Sequence, residues 1–416
     1  MSLATYATWA ICAATTAAVI VRPFRCPEAV WALVGAALLL GWDLVPIPAA
    51  IGAVLKGLDV YLFLVGMMLL SEVARKEGLF DWVASSAAIY SRGSSTRLFT
   101  LVYAAGIVTT TFLSNDATAV VLTPAVYAAA RKAKTDPLPL LFACSLIANA
   151  ASFVLPISNP ANLVLYGGKM PPLGQWFYSF ALPSLAALLA TFLALRWTQR
   201  RSLAGPCDCD VSRPPLAIGG KAALAGIVAT AVLLVVASAR NEHLGPPTAI
   251  AGIVTTLMVC ALARQSPVIV ARDVSWSVLP LVAGLFVLVE ALERTGVIAH
   301  IAQELRSASA NPEQTAVLSG TTLAAASNLI NNLPAGLVAS TAVAQAHPPR
   351  LVIDALLIGV DLGPNLSITG SLATILWLQS IRREGEDVGF WRFLKIGAVA
   401  MPPALVAALG TRIFLG

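Results

Sequence analysis

The chain has few charged residues and few aromatic ones. Asp, Glu, Lys and Arg make up 12% of its 416 residues, and Phe, Trp and Tyr make up 7%. Hydrophobic residues account for 58%, and the mean hydropathy is +0.80, which excludes an ordinary soluble protein with one buried core. The apolar runs approach the roughly 20 residues of a spanning helix, and none alternates like a membrane barrel strand. The composition therefore predicts an all-α polytopic membrane protein.

Signals for several other protein classes are also missing. Cys12, Cys26, Cys144 and Cys260, out of six cysteines, lie in or beside apolar segments, which excludes a disulfide framework. The three histidines have no metal-ligand spacing, and no nucleophile elbow or His-Glu-x-x-His motif favours an enzyme. The net charge of +6 comes from loop clusters and indicates topology, not nucleic acid. We predict no catalytic residues, metal, cofactor or nucleic-acid partner.

The two halves of the chain share a pattern. Residues 66–79 align with residues 284–297 at a constant shift of 218 positions, which indicates an internal duplication. The predicted parts are a first repeat (1–195), a cytoplasmic linker (196–220) and a second repeat (221–416). We expect about ten transmembrane helices, beginning with a retained helix at 5–21, plus two re-entrant hairpins (about 98–131 and 313–346) and two discontinuous helices (about 138–168 and 350–382).

The positions of the basic residues predict the topology. Arg22 and Arg25 follow the first helix, and Arg200, Arg201 and Arg213 lie in the proline-rich linker with Pro206, Pro214 and Pro215. The positive-inside rule places both segments in the cytoplasm. Basic residues flank both ends of the first hairpin, so it dips in from the cytoplasm and returns, whereas its counterpart enters from outside. Five spans per half then predict two inverted-topology repeats.

Polar side chains interrupt these apolar stretches at four places. Polar groups and unwound backbone at membrane depth are costly unless they line a cavity or contact a partner. The prolines at 156 and 160 break the first discontinuous helix, and Gly363, Pro364 and Gly370 break the second. The predicted substrate-binding residues are Ser114, Asn115, Asn159, Asn162, Asn331, Asn332, Asn365 and Thr369, with secondary roles for Asn149, Ser158 and Ser371. We expect all four interruptions to meet at one midplane site.

Each related pair of interruptions keeps one acid. The alignment places Asp116 opposite Asn332 and Asn149 opposite Asp361. Because an amide cannot titrate, Asp116 and Asp361 are the predicted proton-coupling residues; alternatively, each acid is only a hydrogen-bond acceptor that fixes its segment. A metal-capturing role for Cys207 and Cys209 is a further alternative.

Other charged and aromatic residues have simpler interpretations. Glu72 with Lys76, and Glu290 with Arg294, are spaced for helical side-chain pairs. Asp43 and Asp354 are predicted near span ends, where a carboxylate reaches the interface. Trp176, Trp197, Trp276 and Trp391 are predicted to be interfacial anchors.

The segments 359–365 and 370–378 resemble the bacterial arsenite efflux permeases (ArsB), as do Ser114 to Ala117, Leu122 to Pro124 and Ile330 to Pro334. The resemblance extends over essentially the whole chain. It implies a multi-pass protein of the bacterial plasma membrane that exports arsenite and antimonite, driven by the proton gradient alone or with a soluble ATPase docked on the cytoplasmic side.

This resemblance and the polar residues together give one hypothesis. Neutral As(OH)3 binds between Asn115, Asn159, Asn332 and Asn365, while Asp116 or Asp361 takes a proton in exchange. Amides, hydroxyls and carbonyls suit three O–H groups that both donate and accept. The alternatives are a sodium/proton antiporter of the same superfamily, a dicarboxylate carrier, a passive channel and, least favoured, a membrane-embedded enzyme.

Overall fold

The computed structural model describes residues 2–167, 170–213, 215–240 and 242–416, which form helices, turns and one isolated β-bridge. The predicted end of the first discontinuous helix, at residue 168, and Pro214 of the linker lie outside the described residues. The first half contains α1 (Leu3–Val21), α2 (Glu28–Gly41), α3 (Ile47–Lys56), α4 (Leu58–Lys76), α5 (Leu79–Tyr90), α6 (Ser95–Leu113), α7 (Asn115–Ala117), α8 (Thr123–Lys132), α9 (Leu138–Ala150), α10 (Pro160–Tyr166) and α11 (Leu173–Thr198).

The second half repeats this order of elements. It contains α12 (Ile218–Ala239), α13 (Gly245–Ala263), α14 (Pro267–Asp273), α15 (Val278–Arg294), α16 (Val297–Ala308), α17 (Pro312–Ile330), α18 (Asn332–Ala346), α19 (Arg350–Leu362), α20 (Leu372–Arg383) and α21 (Phe390–Phe414). Proline opens α10 and α17, because the first-turn donors of a helix have no intrahelical acceptor. The all-helical class is confirmed, whereas the opposite orientation of the repeats stays a prediction.

Several helices are long and apolar enough to cross a membrane. Among the described residues, six pass this test, and up to eight pass if the bent pairs α3–α4 (48°) and α14–α15 (44°) each count as one span. The shorter apolar helices α2 and α9 leave room for the predicted ten spans, a number that stays a prediction. The multi-pass character of the chain follows from the helices themselves.

Helix boundaries change one detail of the repeat alignment. α6 ends at Leu113 and α17 ends at Ile330, so Ser114 corresponds to Asn331 and Asn115 to Asn332. The sequence alignment placed Asp116 opposite Asn332, one position away. α9 and α19 end at positions that match Asn149 with Asp361, as aligned.

Glycines set the distance between α17 and α19. A β-carbon on Gly359 would overlap the carbonyl oxygen of Gly320, and one on Gly363 would overlap that of Ala324. The two backbones therefore touch, as small residues allow in membrane helix pairs. This contact fixes the second hairpin against the second discontinuous helix.

The linker is packed against the ends of the first-half helices. The Cys207 N–H donates to the Gly93 carbonyl (3.0 Å), and the Asp208 N–H donates to the Ala133 carbonyl (2.7 Å). The Cys207 thiol is buried 3.3 Å from the Ser91 hydroxyl, whereas Cys209 is exposed. Among the described residues, no three His, Cys, Asp or Glu side chains are grouped to hold a metal.

The predictions for Trp176 and for the Glu72–Lys76 pair are wrong. Trp176 is fully buried, and its indole N–H donates to the Phe153 carbonyl (3.2 Å), because α11 packs this face against the break in the first discontinuous helix. Glu72 pairs with Arg75 (2.9 Å), while Lys76 crosses to Asp273 on α14 (2.7 Å). The predicted Glu290–Arg294 pair is present, at 3.1 Å.

Candidate functional site

The first hairpin tip is a helix break at Ser114. This residue has φ 126° and ψ 164°, a backbone conformation that residues other than glycine seldom adopt. Its hydroxyl accepts the Ala117 N–H (3.4 Å), and the Asn115 carboxamide oxygen accepts the Asp116 N–H (2.9 Å). These short polar side chains satisfy the free donors of the restarted helix. Strained backbone of this kind concentrates at functional sites.

The second hairpin tip has the same construction. Asn331 has φ 72°, and its side-chain oxygen accepts the Leu333 N–H (3.3 Å). The Asn331 amide donates to the Thr369 carbonyl (3.3 Å), and the Asn332 N–H donates to the Gly370 carbonyl (2.9 Å). The tip is therefore fixed directly to the break in the second discontinuous helix.

Asn162 holds the break in the first discontinuous helix. Its amide donates to the carbonyls of Ser152 (2.8 Å) and Pro156 (3.2 Å), which the loss of helix leaves without partners. Ser158 donates to the Thr111 carbonyl on α6 (3.1 Å). Buried carbonyls must be satisfied in this way where no water is present. Asn162 and Ser158 are thus placed to support the backbone of the site.

The two discontinuous helices contact each other reciprocally. Asn159 caps α10 and donates from Nδ2 to Asp361 Oδ1 on α19 (2.7 Å). In the same position of the other half, Ser371 caps α20 and donates to Asn149 Oδ1 on α9 (3.1 Å). The cap of α10 therefore contacts the last turn of α19, and the cap of α20 contacts the last turn of α9.

A layer of amides lies behind these contacts between the two discontinuous helices. Asn149 donates to Asn365 Oδ1 (3.0 Å) and to Thr374 Oγ1 (3.2 Å), and Asn365 donates to the Leu146 carbonyl (3.0 Å). All of these side chains are buried. Asn365 therefore braces α9 against the second break.

The central cavity is small and lies between the tips and the breaks. Its volume is about 10 Å³, close to the room for one water molecule. The polar lining residues are Asn115, Asp116, Asn159 and Asn332, and the apolar ones are Leu64, Pro160, Val278, Leu333, Leu372 and Ala373. Asn332 Oδ1 is buried and has no partner among the described residues. The cavity thus joins three of the four amides predicted to hold the solute, and Asn365 is not among its lining residues.

The central cavity borders a series of larger cavities. It shares Asp116 and Pro160 with a cavity of about 80 Å³, which also includes Ser114 and in turn shares Glu72 with a vestibule of about 1410 Å³. The vestibule is lined by Thr369 and by charged residues that include Arg22. A further cavity of about 430 Å³, lined by Lys56, Asp59, His243, Glu290 and Glu293, shares no lining residue with these three.

The sequence did not single out Asn328, Ser367 and Thr374. Asn328 donates to the Gly363 carbonyl (2.9 Å) and accepts from the Ser367 hydroxyl (2.8 Å), and its own carbonyl accepts from Thr369 (3.0 Å). One signal was available, because Asn328 lies in the same Asn-rich segment as the second tip. A polar side chain one turn before a helix break commonly satisfies freed backbone groups.

The prediction that Asp354 lies near a span end and reaches the interface is wrong. It is fully buried, pairs with Arg412 (2.9 Å) and accepts from the Tyr166 hydroxyl (2.7 Å). Its position in the second turn of α19 indicated an interfacial side chain, but α10 and α21 cover that turn. Asp43, by contrast, is exposed as predicted.

Comparisons with known proteins give a consistent result. The family model described as citrate transporter (CitMHS) matches residues 15–362. The arsenical pump membrane protein of Yersinia enterocolitica is 29% identical over 370 residues, which covers 84% of this chain and 85% of the relative. The protein of the same name from Escherichia coli K12 is 27% identical over 367 residues, with the same coverage.

Two solved structures share the fold. The YdaH transporter of Alcanivorax borkumensis superimposes with a TM-score of 0.59 at 15% identity, covering 88% of this chain and 86% of that one. MtrF of Neisseria gonorrhoeae, described as an antimetabolite efflux pump, gives 0.52 at 13% identity, covering 90% and 85%. This multi-pass protein of the bacterial inner membrane therefore belongs to the CitMHS family of transporters, and its resemblance to the ArsB permeases is confirmed.

Proposed function

We propose that the chain exports arsenite, and antimonite, as neutral trihydroxides in exchange for protons. The observation that carries the proposal is the lining of the central cavity by three carboxamides and one carboxylate, with no Lys or Arg among its lining residues. Carboxamides both donate and accept, so they suit a solute with three hydroxyl groups. A tricarboxylate would instead bring negative charge next to Asp116 without a cation to offset it.

Alternating access is part of the same proposal. The lining residues support a state open to one side only, because the central cavity shares them stepwise with the vestibule beside Arg22 and not with the cavity beside Lys56. The positive-inside rule makes the Arg22 side cytoplasmic. A cavity with room for one water must widen to admit a trihydroxide, so solute binding requires the tips and breaks to move apart.

Proton exchange supplies the driving force. Because the solute is neutral, only the proton moves charge across the membrane, and 100 mV is worth about 2.3 kcal/mol per charge, or roughly a 50-fold concentration ratio. One proton per cycle is sufficient for export. Asp116 and Asp361 are the proposed carriers.

Uptake into everted membrane vesicles tests the proposal. Asp116→Asn and Asp361→Asn should each reduce gradient-driven arsenite uptake by at least about tenfold, because the amide cannot carry a proton. Asp43→Asn, at an exposed turn, is the matched control and should transport normally. An ionophore should stop uptake by the unaltered protein. Full uptake by both variants would show that neither carboxylate carries the proton, and sodium-dependent proton movement without arsenite transport would favour the sodium/proton antiporter.

A cytoplasmic ATPase partner is a separate proposal that rests on the family resemblance. The exposed linker residues Arg200 and Arg201 offer a basic docking surface. Removing residues 203–214 would also break the linker contacts of Cys207 and Asp208, so charge reversal at Arg200 and Arg201 is the cleaner change. Arsenite tolerance should fall only in cells that contain the ATPase, and equal tolerance in both strains would exclude this surface.

A further inference from the structure

Among the described residues, Asn159 alone both lines the central cavity and binds Asp361. Its side-chain oxygen is engaged, because it accepts the Ala161 N–H at 3.0 Å. A carboxamide nitrogen carries two hydrogens. One of them goes to Asp361 Oδ1, and the second is available to a solute in the cavity. Asp361 itself is fully buried behind Asn159 and is not among the cavity-lining residues.

Asp361 depends on this single contact. Its Oδ1 accepts from Asn159, and its Oδ2 is buried with no partner among the described residues. A buried carboxylate with one donor is stable as an anion only while that donor stays in place. The unpartnered oxygen is the natural position for a proton.

No neighbouring charge replaces Asn159. The titratable groups on the elements packed against α19 are Glu313 on α17, Cys144 on α9, Tyr166 on α10, and Arg392, Lys395 and Arg412 on α21. None of these described side chains bonds to Asp361, and on α19 itself Asp354 is neutralised by Arg412. The ionisation of Asp361 is therefore linked to the orientation of Asn159.

We propose that Asn159 is the positioning residue that makes solute and proton exclude each other. Ionised Asp361 holds the Asn159 amide with its second N–H toward the cavity, and the solute binds. When a proton from the outer solution reaches Asp361 Oδ2, the acid becomes neutral, the charge-assisted bond to Asn159 is lost, and the solute loses an oriented donor and leaves. The inference rests on the proposed function and adds the residue through which exchange, as opposed to cotransport, arises.

Arsenite binding to the purified protein at pH 6 and pH 8 tests this coupling. The unaltered protein should bind arsenite more weakly at pH 6, by up to about tenfold per pH unit for one linked proton. Asp361→Asn is neutral at both pH values, like the protonated acid, so it should bind at pH 8 as weakly as the unaltered protein binds at pH 6. Asn159→Ala should bind more weakly and without pH dependence. Ser145→Ala, which removes a buried hydroxyl of α9 that has no partner among the described residues, is the matched control and should keep the pH dependence.

A second measurement does not require bound solute. Infrared spectroscopy can follow the carboxylic acid band of Asp361, assigned by its absence in Asp361→Asn. In Asn159→Ala the band should persist to higher pH than in the unaltered protein, whereas Ser145→Ala should leave it unchanged. An unmoved band, or unaltered pH dependence of binding in Asn159→Ala, would overturn the proposal. If the unaltered protein binds no arsenite, the proposed function fails, while the band still reports whether Asn159 controls the proton on Asp361.

Discussion

Two carboxylates on α19, Asp354 and Asp361, are both fully buried but have different surroundings. Asp354 has Arg412 at 2.9 Å, Tyr166 at 2.7 Å and Arg350 at 3.6 Å. Among the described residues, Asp361 has only Asn159 as a partner, and one of its oxygens is unpartnered. The two acids contact opposite ends of α10, Asp361 through Asn159 at its start and Asp354 through Tyr166 at its end. Both pairs of residues are seven positions apart, so α10 and α19 run antiparallel here. Seven residues are about two turns, so both acids present the same face to α10.

The comparison separates an acid that holds the fold from an acid that can change its charge. A buried carboxylate paired with a guanidinium stays ionised, because protonation would leave a buried cation without an anion. A carboxylate with one neutral donor has no such constraint. The same helix therefore carries a fixed charge near its start and a proposed proton carrier near its end.

Removing the fixed charge should have the largest effect on stability. Asp354→Asn leaves Arg412 buried without an anion, at a cost of about 3–5 kcal/mol. We expect a large loss of folded protein and a lower melting temperature in detergent. Asp361→Asn, two turns along the same helix, is the matched control and should melt close to the unaltered protein. Asp354→Asn combined with Arg412→Met should recover much of the loss, and equal melting of the two single variants would remove the distinction between the acids.

Breaking the amide layer behind Asp361 should have a smaller effect. Asn149→Ala leaves Asn365 Oδ1 and Ser371 Oγ without one partner each, which costs about 1–3 kcal/mol. Ser145 lies one turn earlier on α9, and its buried hydroxyl has no partner among the described residues, so Ser145→Ala should cost nothing measurable. Melting temperatures of the two variants give the comparison. A loss in Ser145→Ala equal to that in Asn149→Ala would attribute the effect to packing alone.

The sequence predicted the Asn-rich tips and breaks because polar groups at membrane depth are costly unless they line a cavity or contact a partner. Such groups can be recognised within a single segment. It could not predict which amides face the cavity. Asn159 and Asn365 flank equivalent breaks, but Asn159 lines the cavity while Asn365 turns toward Leu146. That difference depends on the rotation of a few unwound residues, which local sequence does not determine.

Pairings between distant segments were also beyond the sequence. Asp354 and Arg412 are 58 positions apart, and nothing near either residue indicates the other. The Glu72 interpretation failed for a related reason, because Arg75 and Lys76 both lie within reach of a glutamate on one helix. Asp273 on α14 lies 2.7 Å from Lys76 and 3.8 Å from Arg75, so Lys76 turns to Asp273 and Arg75 pairs with Glu72. Tertiary packing thus selects among partners that helical spacing allows equally.

Removing one neutral donor from Asp354 should cost less than removing its charge. In Tyr166→Phe the carboxylate keeps Arg412, and the lost hydroxyl bond is worth about 1.5–3 kcal/mol because its acceptor is ionised. Tyr178→Phe on α11 is the control, since that hydroxyl bonds to the exposed Leu415 carbonyl. The melting temperature should fall for Tyr166→Phe only, and arsenite uptake per folded molecule should be unchanged. Loss of uptake without loss of stability would indicate that Asp354 acts in transport and not in stabilising the fold.

A partly exposed acid in the linker should give the smallest effect, together with a defined pH dependence. The Asp210 backbone N–H (2.9 Å) and the Lys134 ammonium (3.3 Å) lower the pKa of Asp208 below its usual value. A lowered pKa stabilises the fold above the unfolded pKa of about 3.9 and loses that contribution as pH falls through the folded value. Asp208→Asn should therefore lower the melting temperature slightly at pH 7, by an amount that shrinks as the pH falls through the folded pKa, whereas Asp210→Asn keeps the backbone donor and should match the unaltered protein throughout. A difference between Asp208→Asn and the unaltered protein that does not shrink as the pH falls would mean that the side chain acts through packing and not through its charge.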